Sequence, residues 1–191
     1  MPNIESLGKR LISFVGGEIG EWTVISIKPI TGESLAEVKR IKICYPPFDL
    51  TLNKAWELNG VISNVRYVEK NEKAELSSKQ AGLGRPEATM AALIPIKKSP
   101  AWWDMTQDQR REIFEARSRH TAEGLKYLPA IARQLYHSRD LGEPFDFLTW
   151  FEYAPENSGA FEDLVQYLRG TEEWKYVDRE VDIRLSRVEV P

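Results

Sequence analysis

Apolar and polar positions alternate in short runs along the first half of this chain. From Glu21, EWTVISIKPI sets Trp22, Val24, Ser26 and Lys28 against Thr23, Ile25, Ile27 and Pro29. A two-step period of this kind predicts a strand with two faces, which Pro29 and Thr31-Gly32 end. Glu37 to Ile43 predicts a second, weaker strand, broken by Pro46-Pro47. Trp56 to Glu69 predicts a longer one, with Val61, Ser63, Val65 and Tyr67 on one face and Gly60 marking a bulge. Asn71 to Lys79 is charged and predicts a helical turn, followed by the loop SSKQAGLGRP. ATMAALIPIKK, from Ala88, has the length of a strand buried on both faces. Residues 1–20 are less regular: Ile4, Leu7, Leu11, Ile12 and Val15 predict an amphipathic turn or two, closed by Gly16-Gly17.

The pattern then lengthens. Thr106 and Gln109 have the spacing of a capping box. The run DQRREIFEARSRHTAEGLKYL is rich in helix formers, and Ile131, Leu135 and Tyr136 continue its spacing beyond Pro129. This predicts two helices, or one kinked at Leu128-Pro129, with His120 and Arg133 on successive helical segments. Phe145 to Tyr153 returns to strand, with aromatics at Phe145, Phe147, Phe151 and Tyr153. Ala154-Pro155 opens a helix whose apolar stripe is Phe161, Leu164, Val165 and Leu168 and whose end is Gly170. Trp174 to Val190 predicts a long last strand with Val177, Val181, Ile183 and Leu185 on one face. Strands and helices without a repeated βαβ phase predict an α+β fold with antiparallel sheet. The final strand, helix and strand have the order of half a ferredoxin-like unit. The region before Ser99 would supply a second half, dividing the chain into 1–98 and 99–191.

Length and composition limit the rest. The 191 residues suffice for one large domain or two small, closely packed ones. Apolar residues make up 42% and charged residues 29%, ordinary for a globular chain. A net charge of −3 gives no bulk reason to expect nucleic acid or an anionic membrane as partner. Arginines nevertheless crowd the stretch from Arg110 to Arg139. No run approaches the ~18 apolar residues of a membrane span, and the start lacks a basic segment and cleavage pattern, so the expected location is cytoplasmic. The single cysteine, Cys44, lies in the strand-like RIKICY, where a small buried side chain is expected, and points to a reducing compartment.

Phosphate-cradling, dinucleotide-binding and serine-nucleophile motifs are absent, and GLGRP at 82–86 is too short to replace them. Two histidines and one cysteine without clustering argue against structural zinc. Aromatic strands beside basic helices can bind single-stranded nucleic acid, but the acidic net charge argues against it. His120, between Arg119 and Thr121 in a polar helix, reads first as a solvated histidine. One histidine can also ligate haem iron, provided it has an apolar pocket and a carboxylate for its other ring nitrogen.

Four ordered blocks carry a more specific signal: KSPAWWDM, RSRHTAEGLKYLPAIARQLYHSRDL, FDFLTWFEYAP and TEEWKYVDREVDIRLSR. Together they resemble the chlorite dismutase family of haem proteins, strongly over 98–187 and more loosely over Gln80 to Lys97. The short N-terminal half is similar to the compact, dimeric branch. The resemblance implies a dimeric, ferredoxin-like α+β barrel with haem b as cofactor and a homodimer as the assembly. It implies His120 as axial iron ligand, Glu173 (or Glu172, one residue earlier) as carboxylate partner of His120, and Arg133 as a distal arginine that orients the anion. It implies Gln80 as a distal amide bonded to that arginine, and Lys98 and Trp102 as contacts at the haem edge. The implied reaction converts chlorite to chloride and dioxygen, with neither nucleic acid nor membrane as partner. A haem-pathway enzyme similar to coproheme decarboxylases and a non-enzymatic haem-binding or sensor protein are the alternatives. An arginine at 133 favours chlorite, because the decarboxylases carry an uncharged residue there.

Overall fold

The computed structural model describes residues 10–48, 51, 53–62 and 69–188. The expectations for residues 1–9, and for Ser63, Val65 and Tyr67, lie outside these. Among the described residues, eight strands carry the fold: β1 (Leu11–Gly17), β2 (Trp22–Thr31), β3 (Arg40–Cys44), β4 (Lys54–Val61), β5 (Met90–Lys98), β6 (Ala132–His137), β7 (Phe147–Tyr153) and β8 (Val177–Arg187). The helices are α1 (Lys70–Lys79), α2 (Pro100–Asp104), α3 (Gln107–Arg111), α4 (His120–Gly124) and α5 (Ser158–Arg169). A π-helical turn, Glu112–Arg117, joins α3 to the His120 turn, and a 3-10 turn, Glu173–Tyr176, leads into β8.

Every strand pairing is antiparallel, and the strands close into one barrel in the order β1-β3-β2-β8-β5-β7-β6-β4. The strands on either side of Lys98 therefore share one sheet: β5 pairs with both β7 and β8. Two-step alternation makes the two faces. Ile12, Phe14, Ala91, Leu93, Leu148, Trp150, Val181, Ile183 and Leu185 fill the barrel. Ala92, Ile94, Ile96 and Phe151 point outward, onto the stripe Phe161, Leu164, Val165 and Leu168 of α5. β5 is thus buried on both faces, as its unbroken apolar run requires. Cys44 is buried. No helix among the described residues is long and apolar enough to cross a membrane.

Three expectations change. The segment from Leu11 to Gly17 is a strand, not an amphipathic turn, with Ile12 and Phe14 inside the barrel. Gly60 keeps regular register opposite Ile12, so it marks no bulge. It is small because a Cβ there would stand 2.7 Å from Cβ of Tyr136. Most consequentially, Ile131, Leu135 and Tyr136 do not continue a helix. Ala132–His137 is strand β6, paired along its length with β7. The spacing of Ile131 and Leu135 misleads because four residues is one helical turn and also two strand steps. Polar residues on both faces, Arg133 outside and Gln134 inside, hide the alternation.

Phe161 is fully buried, stacked on Tyr153 at 4.6 Å and edge-on to Phe151 at 5.1 Å. Phe161→Ala is expected to cost about 3–5 kcal/mol of unfolding free energy by urea titration, through lost burial and the cavity it leaves. Beside it, Asp182 is 5% exposed and accepts from Arg169 at 2.7 Å and from Arg184. Burial pushes its carboxyl up, but hydrogen bonds from Arg184 and Arg169 and their charges outweigh this and hold it below the usual range. A carboxyl depressed in the folded state stabilises above its unfolded pKa of about 4, and the benefit is lost as pH falls through the lower folded value. Asp182→Asn is expected to lose about 3 kcal/mol at pH 7. Its urea midpoint should fall less steeply below about pH 4 than that of the unsubstituted chain.

Candidate active site: a buried histidine–carboxylate–lysine cluster beside a lone arginine

A cavity opens on the outer face of β5, β6 and β7, between the sheet and the helices. Its empty space, counted out to its open mouth, is about 1280 Å³. Ile94, Ile96, Leu135, Phe147 and Phe151 form its sheet wall, and Leu164, Val165 and Leu168 of α5 form another. Leu76, the buried side chain of α1, faces it from a third side. Apart from Leu76 and Ala74, α1 is polar, and it is held to the body by Arg111, which reaches Glu72 at 2.9 Å.

His120 lines this cavity from the first residue of α4. Its Nδ1 lies 2.7 Å from a carboxylate oxygen of Glu173. The other carboxylate oxygen accepts from Nζ of Lys98 at 2.8 Å. Glu173 is 4% exposed and Lys98 also 4%. Burial pushes the Glu173 carboxyl up, yet the charges of His120 and Lys98 and the hydrogen bonds they donate bring it down to about 2. An ionised carboxylate only accepts, so Nδ1 must carry the proton. In the neutral imidazole this leaves the lone pair on Nε2, the form a metal binds. Phe114 stacks on the ring at 4.3 Å and Trp174 lies parallel at 6.4 Å, fixing its plane. Glu172, by contrast, pairs with Arg117 at the surface.

Arg133 projects from the outer face of β6 into the same cavity. It is half-buried, and among the described residues its guanidinium meets no carboxylate and no hydrogen-bond acceptor. Desolvation pushes it down from the ordinary arginine value. A guanidinium stays protonated under such pressure, so the cavity contains an uncompensated cation.

The remaining expected residues fall as follows. Trp102 is 1% exposed, lines the cavity and packs on Tyr176 at 5.7 Å. Nζ of Lys98 sits 4.7 Å from its ring centroid. Lys98 is thus committed to Glu173 and Trp102. Gln80 is exposed, just past the end of α1, and its amide donates to the main-chain carbonyl of Arg133 at 2.6 Å, not to the guanidinium. Sequence reasoning missed Phe114, Trp174 and His137 as cavity residues. Adjacency to Glu173 could have suggested Trp174, and the two-step spacing from Arg133 through Leu135 could have suggested His137 once β6 was read as a strand.

Residues 33–188 match the family described as Chlorite dismutase. A chlorite dismutase of Ideonella dechloratans is 33% identical over 121 residues, which cover 62% of this chain and 40% of that protein. The match thus spans less than half the length of that relative. The crystal structure of a dimeric chlorite dismutase from Nitrobacter winogradskyi is 62% identical, covers 93% of this chain and 99% of its own, and superposes with a TM-score of 0.87. A chlorite dismutase from Candidatus Nitrospira defluvii, in complex with imidazole, is 28% identical over 76% of this chain and 56% of its own, with a TM-score of 0.56. With more than three quarters of its length inside that match, the chain belongs to the chlorite dismutase family.

Proposed function

We propose that this protein is a haem b enzyme that decomposes chlorite to chloride and dioxygen. The observation that carries the reading is the pairing, in one apolar cavity, of a carboxylate-bonded histidine with an arginine that meets no counter-charge among the described residues. The donor set fits haem. His120 lines the cavity, Glu173 holds its Nδ1 and leaves Nε2 for a metal, and the walls are aromatic and aliphatic, as a large flat apolar ligand requires. Bound haem would supply the redox chemistry that no side chain here can provide.

The chain's own groups divide the remaining work. Glu173, held ionised, accepts a hydrogen bond from Nδ1–H and makes His120 a stronger donor. Lys98 supplies the compensating charge from within the protein, so Glu173 keeps its ionisation without solvent. Arg133 attracts and orients a small anion, and its missing carboxylate partner leaves its donors available for one. The apolar walls exclude water and strengthen that attraction. We further read the chain as two ferredoxin-like halves, 1–98 and 99–191, in a cytoplasmic homodimer; the dimeric relative at 62% identity supports the homodimer. Gln80 would act only through the main chain of Arg133.

The test is oxygen release, followed with an electrode when chlorite is added to the haem-loaded protein. One dioxygen per chlorite is expected, and haem-loaded protein that releases none refutes the reading. His120→Ala is expected to abolish the Soret band of the purified protein. Arg133→Ala is expected to keep that band but lose on the order of 10²-fold in turnover and to inactivate sooner, measured as oxygen yield per enzyme.

A further inference from the structure

The turn that presents His120 runs against its own backbone preference. Arg119 adopts φ 52° and ψ 34°, a left-handed conformation that residues other than glycine, asparagine and aspartate seldom enter. Such a residue persists only where its surroundings over-determine it. Here the surroundings can be named. The carboxylate of Glu115 accepts from the amides of Thr121 at 2.7 Å and Ala122 at 3.3 Å, capping the first turn of α4. The carbonyl of Ser118 accepts from the hydroxyl of Tyr167, on α5, at 3.2 Å. The hydroxyl of Ser118 accepts from the main-chain N–H of Glu173 at 3.0 Å. Ser118 is 1% exposed, so this last bond is shielded from water.

The Ser118 hydroxyl is distinguished by what it joins. Glu115 and Tyr167 brace the turn against its own helix and against α5. Ser118 bonds the same residue whose carboxylate holds the imidazole. The contacts close a ring: main chain from Ser118 to His120, Nδ1 to the Glu173 carboxylate, and the Glu173 amide back to Ser118. Two tethers on one residue fix both the distance and the tilt of the pair. Arg117 also links these segments, through Glu172 at 3.0 Å, but its side chain is 49% exposed and the pair is screened by solvent.

We propose that Ser118 is a positioning residue for the His120–Glu173 pair. Its hydroxyl sets the length of the imidazole–carboxylate bond and hence how strong a donor His120 would present to a bound metal. The proposal rests on the reading of His120 as that ligand. Loss of the hydroxyl leaves the buried Glu173 amide without its acceptor. The Glu173 turn then drifts, the bond to Nδ1 lengthens, and the imidazole becomes a weaker donor.

The experiment compares Ser118→Ala and Ser118→Thr, both loaded with haem, by resonance Raman spectroscopy of the ferrous form and by redox titration. Ser118→Ala is expected to lower the iron–histidine stretching frequency, raise the midpoint potential and lose haem to apomyoglobin roughly ten-fold faster. Ser118→Thr keeps the hydroxyl and should stay close to the unsubstituted protein. An unchanged stretch and potential in Ser118→Ala, or the same shift in Ser118→Thr, overturns the proposal. Should Ser118→Ala not fold, hydrogen exchange in the unsubstituted protein decides. The Glu173 amide is expected to exchange as slowly as those of β8, and exchange as fast as in an exposed turn refutes the tie. His120→Ala that kept an unchanged haem spectrum would refute the ligand assignment instead, a result separable from all of these.

Discussion

A carboxylate with almost no access to water has to be answered by charge inside the protein, and the site is arranged around answering Glu173. Leaving it alone would cost several kcal/mol. Lys98 neutralises it on one oxygen and the His120 N–H satisfies the other. Lys98 reaches this place from the end of β5, where the register with β8 shifts between Lys97 and Lys98. Its main-chain N–H is taken by Asp146 at 2.6 Å. Its ammonium lies near the rings of both Trp102 and Trp174, whose faces favour a cation. The tryptophans that surround the site therefore also stabilise the charge that Glu173 requires.

The cavity wall shows the opposite arrangement at Arg133. Two arginines that link α5 to β8 are paired. Arg169 meets both Glu180 and Asp182, and Arg184 meets Asp182 and Glu162. Among the described residues Arg133 has no such partner, in a cavity lined by Ile, Leu and Phe. Local balance of this kind is invisible in the net charge of −3, which describes the whole chain.

Much of the fold could be read from periodicity, because most strands have one apolar face and obey a strict two-step rule. β5, β7, β8 and the stripe of α5 all follow from their residues. β6 escaped because it faces the cavity. A strand that presents Arg133 and His137 to a site cannot also display a clean apolar alternation. The His120 turn was legible as helix, but neither the π-helical turn before it nor the left-handed Arg119 has a signature in residue type. The Glu173 partnership came from ordered resemblance and not from spacing, since 53 residues separate the two side chains and tertiary contacts bring them together. Ser118 gave no signal, because a buried serine and a surface serine are the same letter.

That Arg133 lies on a barrel strand while His120 lies on a braced turn has a mechanical consequence. One jaw of the site is bolted to a closed sheet, where every neighbouring strand would have to move with it. The other hangs from side-chain hydrogen bonds that single substitutions can slacken. Under the proposed reading, variation in this chain can therefore adjust the electronic grip on a bound metal without disturbing the anion's seat, and the two properties are free to evolve separately.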